Sequence, residues 1–372
     1  MISRKLFFVL YIISVWAFLK YVPASNTTFN NIFEVFLILI VFLNVNKIHS
    51  KVLPLFLIST SYFSLSLIYV LIFKDAHILD FLLIYKFFIY AMFLSIVFGK
   101  KILPKDMFYN FYRFLFILFI IKYIIGFAQG RHRPVLFFEN NFELMLVSLL
   151  FYLYNDLKGK VSALHQGFLI LIFILSKSIS GLLILSFVLI MVNKKYIVRK
   201  FYIILPSAIM VFMAGLYVIK DRLNGQLDFT QNSRFKFLNA FLNEIQDWNF
   251  FNYLFGAPRI SQLSNEVCSK LGYWQSLFSY SGDGSCYSVI FHSYILRAVF
   301  DHGFLGVIFI FYFVYSILKR AGYSHNTGLT VLGIIVINGL SVSSFNSVYF
   351  AIGILFYLVI DKEHNVYSDN RL

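Results

Sequence analysis

The chain has 372 residues, of which 60% are hydrophobic and 13% charged, and its formal net charge is +15. A soluble domain needs a larger polar fraction to cover its surface, so this composition excludes an ordinary soluble protein and indicates that most of the surface faces lipid. The charged residues lie between hydrophobic runs rather than on one patch, which argues against nucleic-acid binding despite the basic balance.

Hydrophobic runs recur along the whole chain, and a membrane-spanning helix needs about 20 apolar residues. The first run follows Arg4 and Lys5, and no small-residue cleavage site comes after it, so it is interpreted as a retained span rather than a signal peptide. The runs lie at 6–22, 30–46, 52–73, 77–99, 107–129, 141–155, 161–176, 178–193, 201–219, 303–318, 327–343 and 346–360. They predict an all-α polytopic membrane protein of about twelve transmembrane helices, with residues 1–372 forming a single integral membrane domain.

The distribution of basic residues orients these runs across the membrane. With the N-terminus in the cytoplasm, most of the lysines and arginines between runs fall on the cytoplasmic side. They include the doublets Lys100-Lys101, Lys194-Lys195 and Lys319-Arg320. The short outer segments then hold Lys20, Lys74, Arg131 and Arg133. Because basic residues are retained in the cytoplasm, this asymmetry predicts that both termini are cytoplasmic.

One outer segment, residues 220–290, is too long for a connector, and such loops are usually functional. Within it, residues 232–247 place apolar side chains at helical spacing. These side chains are Phe235, Leu238, Phe241, Leu242 and Ile245. The pattern predicts an amphipathic helix that lies either on the membrane surface or against a small domain formed by the loop itself.

Both cysteines, Cys268 and Cys286, fall in this loop on the oxidising side of the membrane. A disulfide between them would close a loop of about 19 residues and stabilise it by about 3 kcal/mol. Two free thiols are the alternative, and we favour the bridge. The sequence has no CxxC motif or Cys/His cluster, so no metal site is predicted.

Ionisable residues inside hydrophobic runs are costly and are therefore functional candidates. They are Glu34, Asp80, Lys86, Arg113, Lys122, Glu143 and Lys177. Asp80 and Lys86 are six residues apart and do not share a helix face, so each is expected to find a partner on another helix. For Arg113 and Glu34, which lie near the ends of runs, snorkelling to the interface is a sufficient explanation.

Arg131 and Arg133 lie outside, between the fifth and sixth runs, where the topological bias disfavours cations. Two guanidinium groups at the lipid boundary suit a phosphate, although ordinary lipid headgroups are the alternative ligand. Arg222 and Arg234 open the long loop, and Lys177 is assigned to the outer turn between the seventh and eighth runs. These segments are predicted to converge on one pyrophosphate without a metal ion.

Four histidines are assigned to the outer side: His77, His132, His292 and His302. His292 stands just before the tenth run, at a hydrophobic interface. An imidazole with a pKa near neutrality can take a proton from a sugar hydroxyl during glycosyl transfer. On this chemistry alone, a structural histidine is the better explanation.

The order of these motifs resembles the superfamily of O-antigen polymerases and O-antigen ligases, the Wzy and WaaL types. The matching features are RHRPVLFFENN at 131–141, SKSISGLL at 176–183, Ser233-Arg234, Leu254-Phe255-Gly256, and HSYIL at 292–296 followed by GFLG at 303–306. The resemblance spans about residues 110–320. Lys177 stands where the family more often has arginine, Ser293 where asparagine is commoner, and Val135 where a small residue often occurs.

The resemblance implies glycosyl transfer, without metal or cofactor, between undecaprenyl-diphosphate-linked oligosaccharides in the bacterial cytoplasmic membrane. A sugar hydroxyl of one repeat unit would attack the anomeric carbon of the growing chain, with His292 as the general base. The diphosphate would be held by Arg133, Arg234, Arg131 and Lys177. Glu139 would orient a sugar hydroxyl or an arginine. The expected partners are the lipid-linked substrates, the bilayer and a chain-length regulator protein.

Two other functions remain open from the sequence. An O-antigen ligase would move finished polymer onto the lipid A core, and the sequence separates it poorly from a polymerase. A flippase for the same lipid-linked oligosaccharide would also have about twelve spans, but it should have only short outer loops, unlike residues 220–290.

Overall fold

The computed structural model of the chain describes residues 2–20, 29–45, 47–74, 76–131, 133–194, 196 and 233–362, and these are mostly helical. The first helices are α1 (Ile2–Leu19), α2 (Phe29–Phe42), α3 (Leu53–Phe73), α4 (Ile78–Val97), α5 (Lys105–Ala128), α6 (Asn140–Lys158), α7 (Ala163–Ser176) and α8 (Ile179–Val192). After the gap come α9 (Ser233–Glu244), α10 (Phe250–Phe255), α11 (Asn265–Lys270), α12 (Tyr294–Arg320), α13 (His325–Gly339) and α14 (Val348–Val359). Two short strands, β1 (Leu103–Pro104) and β2 (Ile360–Asp361), pair in parallel.

Within the described part of the chain, four helical segments are long and apolar enough to cross a membrane: Ser50–Phe73, which contains α3, and the helices α4, α5 and α12. Shorter apolar helices include α1, α2, α7, α8 and α14. Large apolar side chains project outward from this bundle, for example Ile12 (67% exposed), Phe42 (77%) and Leu65 (68%). Such an extensive apolar surface is unfavourable in water, so the distribution indicates that lipid surrounds the bundle.

The centre of the bundle is formed by α6 and α14. All residues of α14 are buried, as expected for a helix that is hydrophobic on every face. Gly353 lets the two helices approach closely, since a Cβ there would lie 2.5 Å from Leu149 Cδ1. The hydroxyl of Tyr357 donates to the carbonyl of Leu149 at 2.9 Å. These contacts fix α6, whose first residues belong to the candidate site.

Segments that the sequence assigns to the same side of the membrane contact one another. At one end, Lys101 Nζ lies 3.8 Å from Asp361 Oδ1, and the Arg320 guanidinium donates to the backbone carbonyl of Lys51. At the other end, Asp80 accepts from Ser279 Oγ at 2.6 Å. These contacts join connecting segments at the two ends of the bundle.

Several predicted boundaries change. The sequence predicts the tenth run at 303–318, but α12 already begins at Tyr294, because polar residues that interrupt the hydrophobic pattern, such as Asp301 and His302, are buried inside the bundle. The ninth run and the start of the long loop, 201–232 with Arg222, lie outside the described residues, as does His132.

Three of the ionisable residues inside the runs, Glu34, Lys86 and Lys122, have partners on neighbouring helices. Lys86 forms an ion pair with Glu34, which joins α4 to α2. Lys122 donates to the carbonyl of Phe18 at 2.7 Å and to that of Lys20 at 3.2 Å, which joins α5 to the end of α1. These contacts give both lysines a structural role.

Candidate functional site

The segment 131–141, here called the arginine segment, is fixed by one buried carboxylate. Glu143, in the first turn of α6, accepts hydrogen bonds from the backbone N–H groups of Leu136 (2.8 Å), Phe137 (2.6 Å) and Phe138 (2.7 Å). Its side chain has no solvent exposure. Hydrogen bonds to a charged acceptor are the strongest in proteins, so Glu143 determines the path of the backbone that carries Arg133 and Glu139.

Two asparagines join the arginine segment to the serine break, residues 176–181. Asn140 Nδ2 donates to the carbonyls of Pro134 at 3.1 Å and Ser176 at 3.2 Å. Asn141 Oδ1 accepts from Ser178 Oγ at 2.7 Å and from Ser180 Oγ at 3.1 Å. Two motifs that are about 40 residues apart in sequence are therefore one hydrogen-bonded unit.

Lys177 lies at the turn of the serine break, as the sequence predicts for the interruption between α7 and α8. It adopts a left-handed backbone conformation with φ of 49° and ends α7. Its ammonium group lies 5.4 Å from the ring centroid of Phe127 on α5, within the range of a cation–π contact. Arg131 lies close enough to Lys122 for the two charges to interact, which places it on the α5 side of the segment.

A groove of about 310 Å³ brings Arg234 and His292 together, although they are 58 residues apart in sequence. Its apolar lining comes from Phe235 and Leu238 of α9 and from Leu296 and Leu340, with Phe237 and Ser293 completing it. We call this cavity the His292 groove. The ring of Phe237 stands edge-on to the imidazole, with 5.0 Å between centroids. A cation, an imidazole and an apolar wall thus share one opening.

The helix α9 that supplies this wall has two apolar stripes. Phe237 and Phe241 are buried and pack on the rings of Trp274 and Phe291. Phe235 and Leu238, each 38% exposed, face the groove side, and Leu242 is 50% exposed. The Phe237 stripe therefore packs on the long loop itself, as one of the two predicted alternatives requires. The stripe of Phe235, Leu238 and Leu242 stays exposed on the surface.

Glu139 connects the arginine segment to the His292 groove electrostatically. Burial raises the pKa of Glu139 to about 7, and the neighbouring Glu143 acts in the same direction. The charge of Arg133, a hydrogen bond from Asn141 and the charge of Arg234 oppose that rise. Both arginines therefore lie within electrostatic range of this carboxyl.

The imidazole of His292 keeps access to solvent, and its surroundings favour the neutral form. Partial burial, followed by the positive charges of Arg297 and Arg234, lowers the pKa of His292 below its ordinary value. Arg297 is itself buried and donates to Ser343 Oγ at 2.6 Å. Because the two cations disfavour a third positive charge, His292 is a free base at neutral pH.

Searches against protein-family models, curated proteins and solved structures find no significant match. The assignment of a function therefore depends on the chemistry of the site alone.

The structure unites some of the predicted site residues and separates others. Arg234 and His292 share a groove, and Glu139 interacts with both Arg133 and Arg234. Among the described residues, the lining of the His292 groove includes neither Arg133 nor Lys177. Arg133, which is exposed, lies outside the groove and is related to Arg234 through Glu139, whose pKa both charges lower.

Two glycines dock the long loop on α12. Gly303 interrupts α12 with φ of 65° and ψ of −177°, a conformation essentially restricted to glycine. Gly256 packs directly on it, and the backbone N–H of Ala257 donates to the carbonyl of Phe300 at 2.7 Å. The Leu254-Phe255-Gly256 motif thus has a structural role as the dock of the long loop on α12.

The loop is also closed by a disulfide. Cys268 and Cys286 are bonded, with a Cα–Cα distance of 6.1 Å. The backbone N–H of Leu263 donates to the carbonyl of Cys286 at 2.8 Å. The loop also contacts the bundle directly, since Ser279 Oγ and the backbone N–H of Tyr280 donate to Asp80 at the start of α4. The loop therefore has several fixed points around the His292 groove.

Proposed function

We propose that this chain polymerises undecaprenyl-diphosphate-linked oligosaccharide repeat units at the outer face of the bacterial cytoplasmic membrane. The observation that carries the proposal is the His292 groove, where a neutral imidazole and the Arg234 guanidinium meet over an apolar wall. A base, an anion-binding cation and a surface for a polyprenyl chain are the three elements that a lipid-diphosphate sugar transferase needs.

The proposed reaction joins two repeat units in one displacement. A hydroxyl of the acceptor sugar attacks the anomeric carbon of the donor and forms the new glycosidic bond. The hydroxyl proton passes to the free imidazole nitrogen of His292. The bond between the anomeric carbon and the diphosphate oxygen breaks, and the electron pair leaves with undecaprenyl diphosphate.

The cations of the site act on the leaving group. Negative charge develops on the diphosphate as the bond breaks, and preorganised cations stabilise such a transition state more than the ground state. Arg234 in the groove and Arg133 outside it are the proposed contacts, and both lie within electrostatic range of Glu139. Arg131 and Lys177 are proposed to bind the part of the diphosphate that lies away from Arg234, or the lipid headgroups next to it.

The apolar wall of the groove supports a lipid-linked rather than a soluble substrate. Leu340 is 56% exposed, and Phe235 and Leu238 are each 38% exposed beside it. An open apolar surface next to a cation suits a polyprenyl chain that begins directly behind a diphosphate. We further propose the topology predicted from the sequence, with about twelve spans, both termini cytoplasmic and the groove on the outer leaflet.

The experiment that tests the proposal uses the purified protein in liposomes with lipid-linked repeat units. A polymerase is expected to yield a ladder of lipid-linked oligomers of increasing length. Transfer of preformed polymer to lipid A core without any ladder would show a ligase instead. Movement of the unmodified substrate across the bilayer without a new glycosidic bond would show a flippase.

A deletion strain of the source organism gives an independent test. Loss of a polymerase leaves a single repeat unit on the acceptor core, whereas loss of a ligase leaves bare core. The proposal predicts the single unit, and bare core would contradict it.

A further inference from the structure

A row of aromatic rings leads from the His292 imidazole to the surface of the long loop. The Phe237 ring lies 5.0 Å from the imidazole, the Trp274 ring lies 4.7 Å from that of Phe237, and the Tyr273 ring lies 5.2 Å from that of Trp274. All distances join ring centroids. Tyr273 is 90% exposed, whereas Phe237 is buried. The row thus begins at the proposed base and ends in solvent.

The exposure of Tyr273 is imposed by the fold on both sides of it. Leu271 and Phe278 are buried at the two ends of this short segment. The backbone N–H of Trp274 donates to the carbonyl of Leu271 at 2.9 Å, and that of Tyr287 donates to the carbonyl of Phe278 at 3.3 Å. The disulfide at Cys268 fixes the preceding helix α11. An anchored segment therefore presents the Tyr273 ring to solvent, while the half-buried Trp274 ring packs on Phe237 beside it.

We propose that Tyr273 and Trp274 form a platform that binds pyranose rings of the oligosaccharide substrate and aligns them with His292. A pyranose ring has a face of C–H groups that packs on an aromatic face, while its hydroxyl groups remain at the rim. Tyrosine and tryptophan offer this contact with little loss of side-chain entropy. This inference rests on the proposed function, since it assigns a sugar subsite to the same groove.

The position of the platform gives it a defined task. It adjoins the groove through Phe237, which packs on both His292 and Trp274, while the apolar wall of the groove includes Leu296 and Leu340. A substrate whose lipid lies along that wall and whose diphosphate contacts Arg234 would extend its sugars over the rings of Trp274 and Tyr273. The platform therefore binds saccharide rather than lipid.

The chain offers a direct probe of this site, because it contains three tryptophans. In the full chain carrying Trp16→Phe and Trp248→Phe, Trp274 is the single remaining indole. The protein in nanodiscs is titrated with the oligosaccharide repeat unit released from its lipid carrier by mild acid. A saturable change in Trp274 emission is expected. Emission that does not respond to the sugar but is quenched by brominated lipid chains would overturn the proposal and place the rings in the bilayer.

Substitutions at Tyr273 separate stacking from general apolar contact. Tyr273→Phe keeps the ring face and is expected to bind normally, whereas Tyr273→Leu is expected to weaken saccharide binding roughly 2- to 10-fold. The matched control is Tyr280→Ala, since Tyr280 is a 59% exposed tyrosine of the same loop that stacks on His77 instead. Equal binding by Tyr273→Leu and the wild type, at unchanged thermal stability, would contradict the platform.

The outcome also distinguishes the platform from the proposed reaction. Sugar binding at Trp274 without any lengthening of lipid-linked units would retain the platform and refute the polymerase. If the wild type and Tyr273→Leu both give normal ladders, and Trp274 emission does not respond to the sugar, the polymerase proposal stands and the platform is refuted.

Discussion

At the scale of single residues, the state of His292 depends on two arginines. Arg234 belongs to the groove itself, while Arg297 is buried one helical turn further along α12. Partial burial lowers the pKa of His292, and both positive charges lower it further because they disfavour the imidazolium. A lowered pKa keeps the base available at neutral pH, and activity is lost only when the pH falls through that value.

The first prediction concerns the acidic limb of the pH profile of kcat/KM. In Arg234→Gln the imidazolium loses one repelling neighbour, so the pKa of His292 rises and the acidic limb moves to higher pH. Arg234→Lys keeps the charge and should leave the limb close to its wild-type position, even if the rate falls because a bidentate contact is lost. The measurement is initial rate of chain extension from pH 5 to 8.

The carboxyl of Glu139 must be controlled in this experiment, since its pKa of about 7 lies in the same range. Both Arg234 variants are therefore also measured in a Glu139→Gln background, which removes that titration. An acidic limb that does not move in Arg234→Gln in either background would show that Arg234 does not act on the catalytic base.

At the scale of elements, Glu143 holds the arginine segment on α6. Glu143→Gln replaces one carboxylate oxygen by an amide group that cannot accept from the backbone N–H groups of 136–138. We expect a loss of about 1.5–3 kcal/mol in the free energy of unfolding for each hydrogen bond to the charged acceptor that is broken. The measurement is denaturant unfolding in detergent, together with the rate of chain extension, which should fall because Arg133 is displaced.

The matched control is Glu266→Gln on the exposed helix α11, where the carboxylate pairs with Lys270 at the surface. This change should leave both unfolding and rate unaltered, because exposed ion pairs contribute little. Equal stability of the Glu143 and Glu266 variants would disprove the anchoring role of Glu143.

The break in α12 gives a second prediction at this scale. A Cβ at Gly303 would lie 2.3 Å from the carbonyl oxygen of Leu254, and the backbone there has a positive φ. Gly303→Ala is therefore expected to detach the Leu254–Gly256 dock and to lower the melting temperature and the activity together. Gly167→Ala on α7, where nothing lies within 4 Å, should be tolerated. A fully active and stable Gly303→Ala would contradict the dock.

At the scale of the whole molecule, the topology leads to a labelling prediction. Lys101→Cys and Lys74→Cys each add one reporter thiol at opposite ends of the bundle. In spheroplasts, whose cytoplasmic membrane is intact and accessible, a membrane-impermeant maleimide should label position 74 at once. Position 101 should be labelled only after the membrane is permeabilised. Labelling in the reverse order would invert the orientation and place the His292 groove on the cytoplasmic side.

The sequence predicts the helical bundle well, because a long apolar run has few alternatives to a helix in lipid. The serine break around Lys177 interrupts the apolar pattern locally, and Cys268 pairs with Cys286 because these are the two cysteines of the chain. The anchoring role of Glu143 is not predictable, since its hydrogen-bond partners are backbone groups that leave no signature in the sequence. The sequence predicts the start of α12 too late, because Arg297, Asp301 and His302 lower the hydropathy of a segment that is buried.

The central claim is that His292 takes the proton of the attacking sugar hydroxyl. Its most direct test is the single-turnover rate of glycosyl transfer by purified His292→Ala on saturating lipid-linked donor and acceptor, with His77→Ala as the control. We predict a fall of roughly 100- to 10,000-fold for His292→Ala, unchanged donor binding, and a wild-type rate for His77→Ala. A wild-type single-turnover rate in His292→Ala would contradict the account.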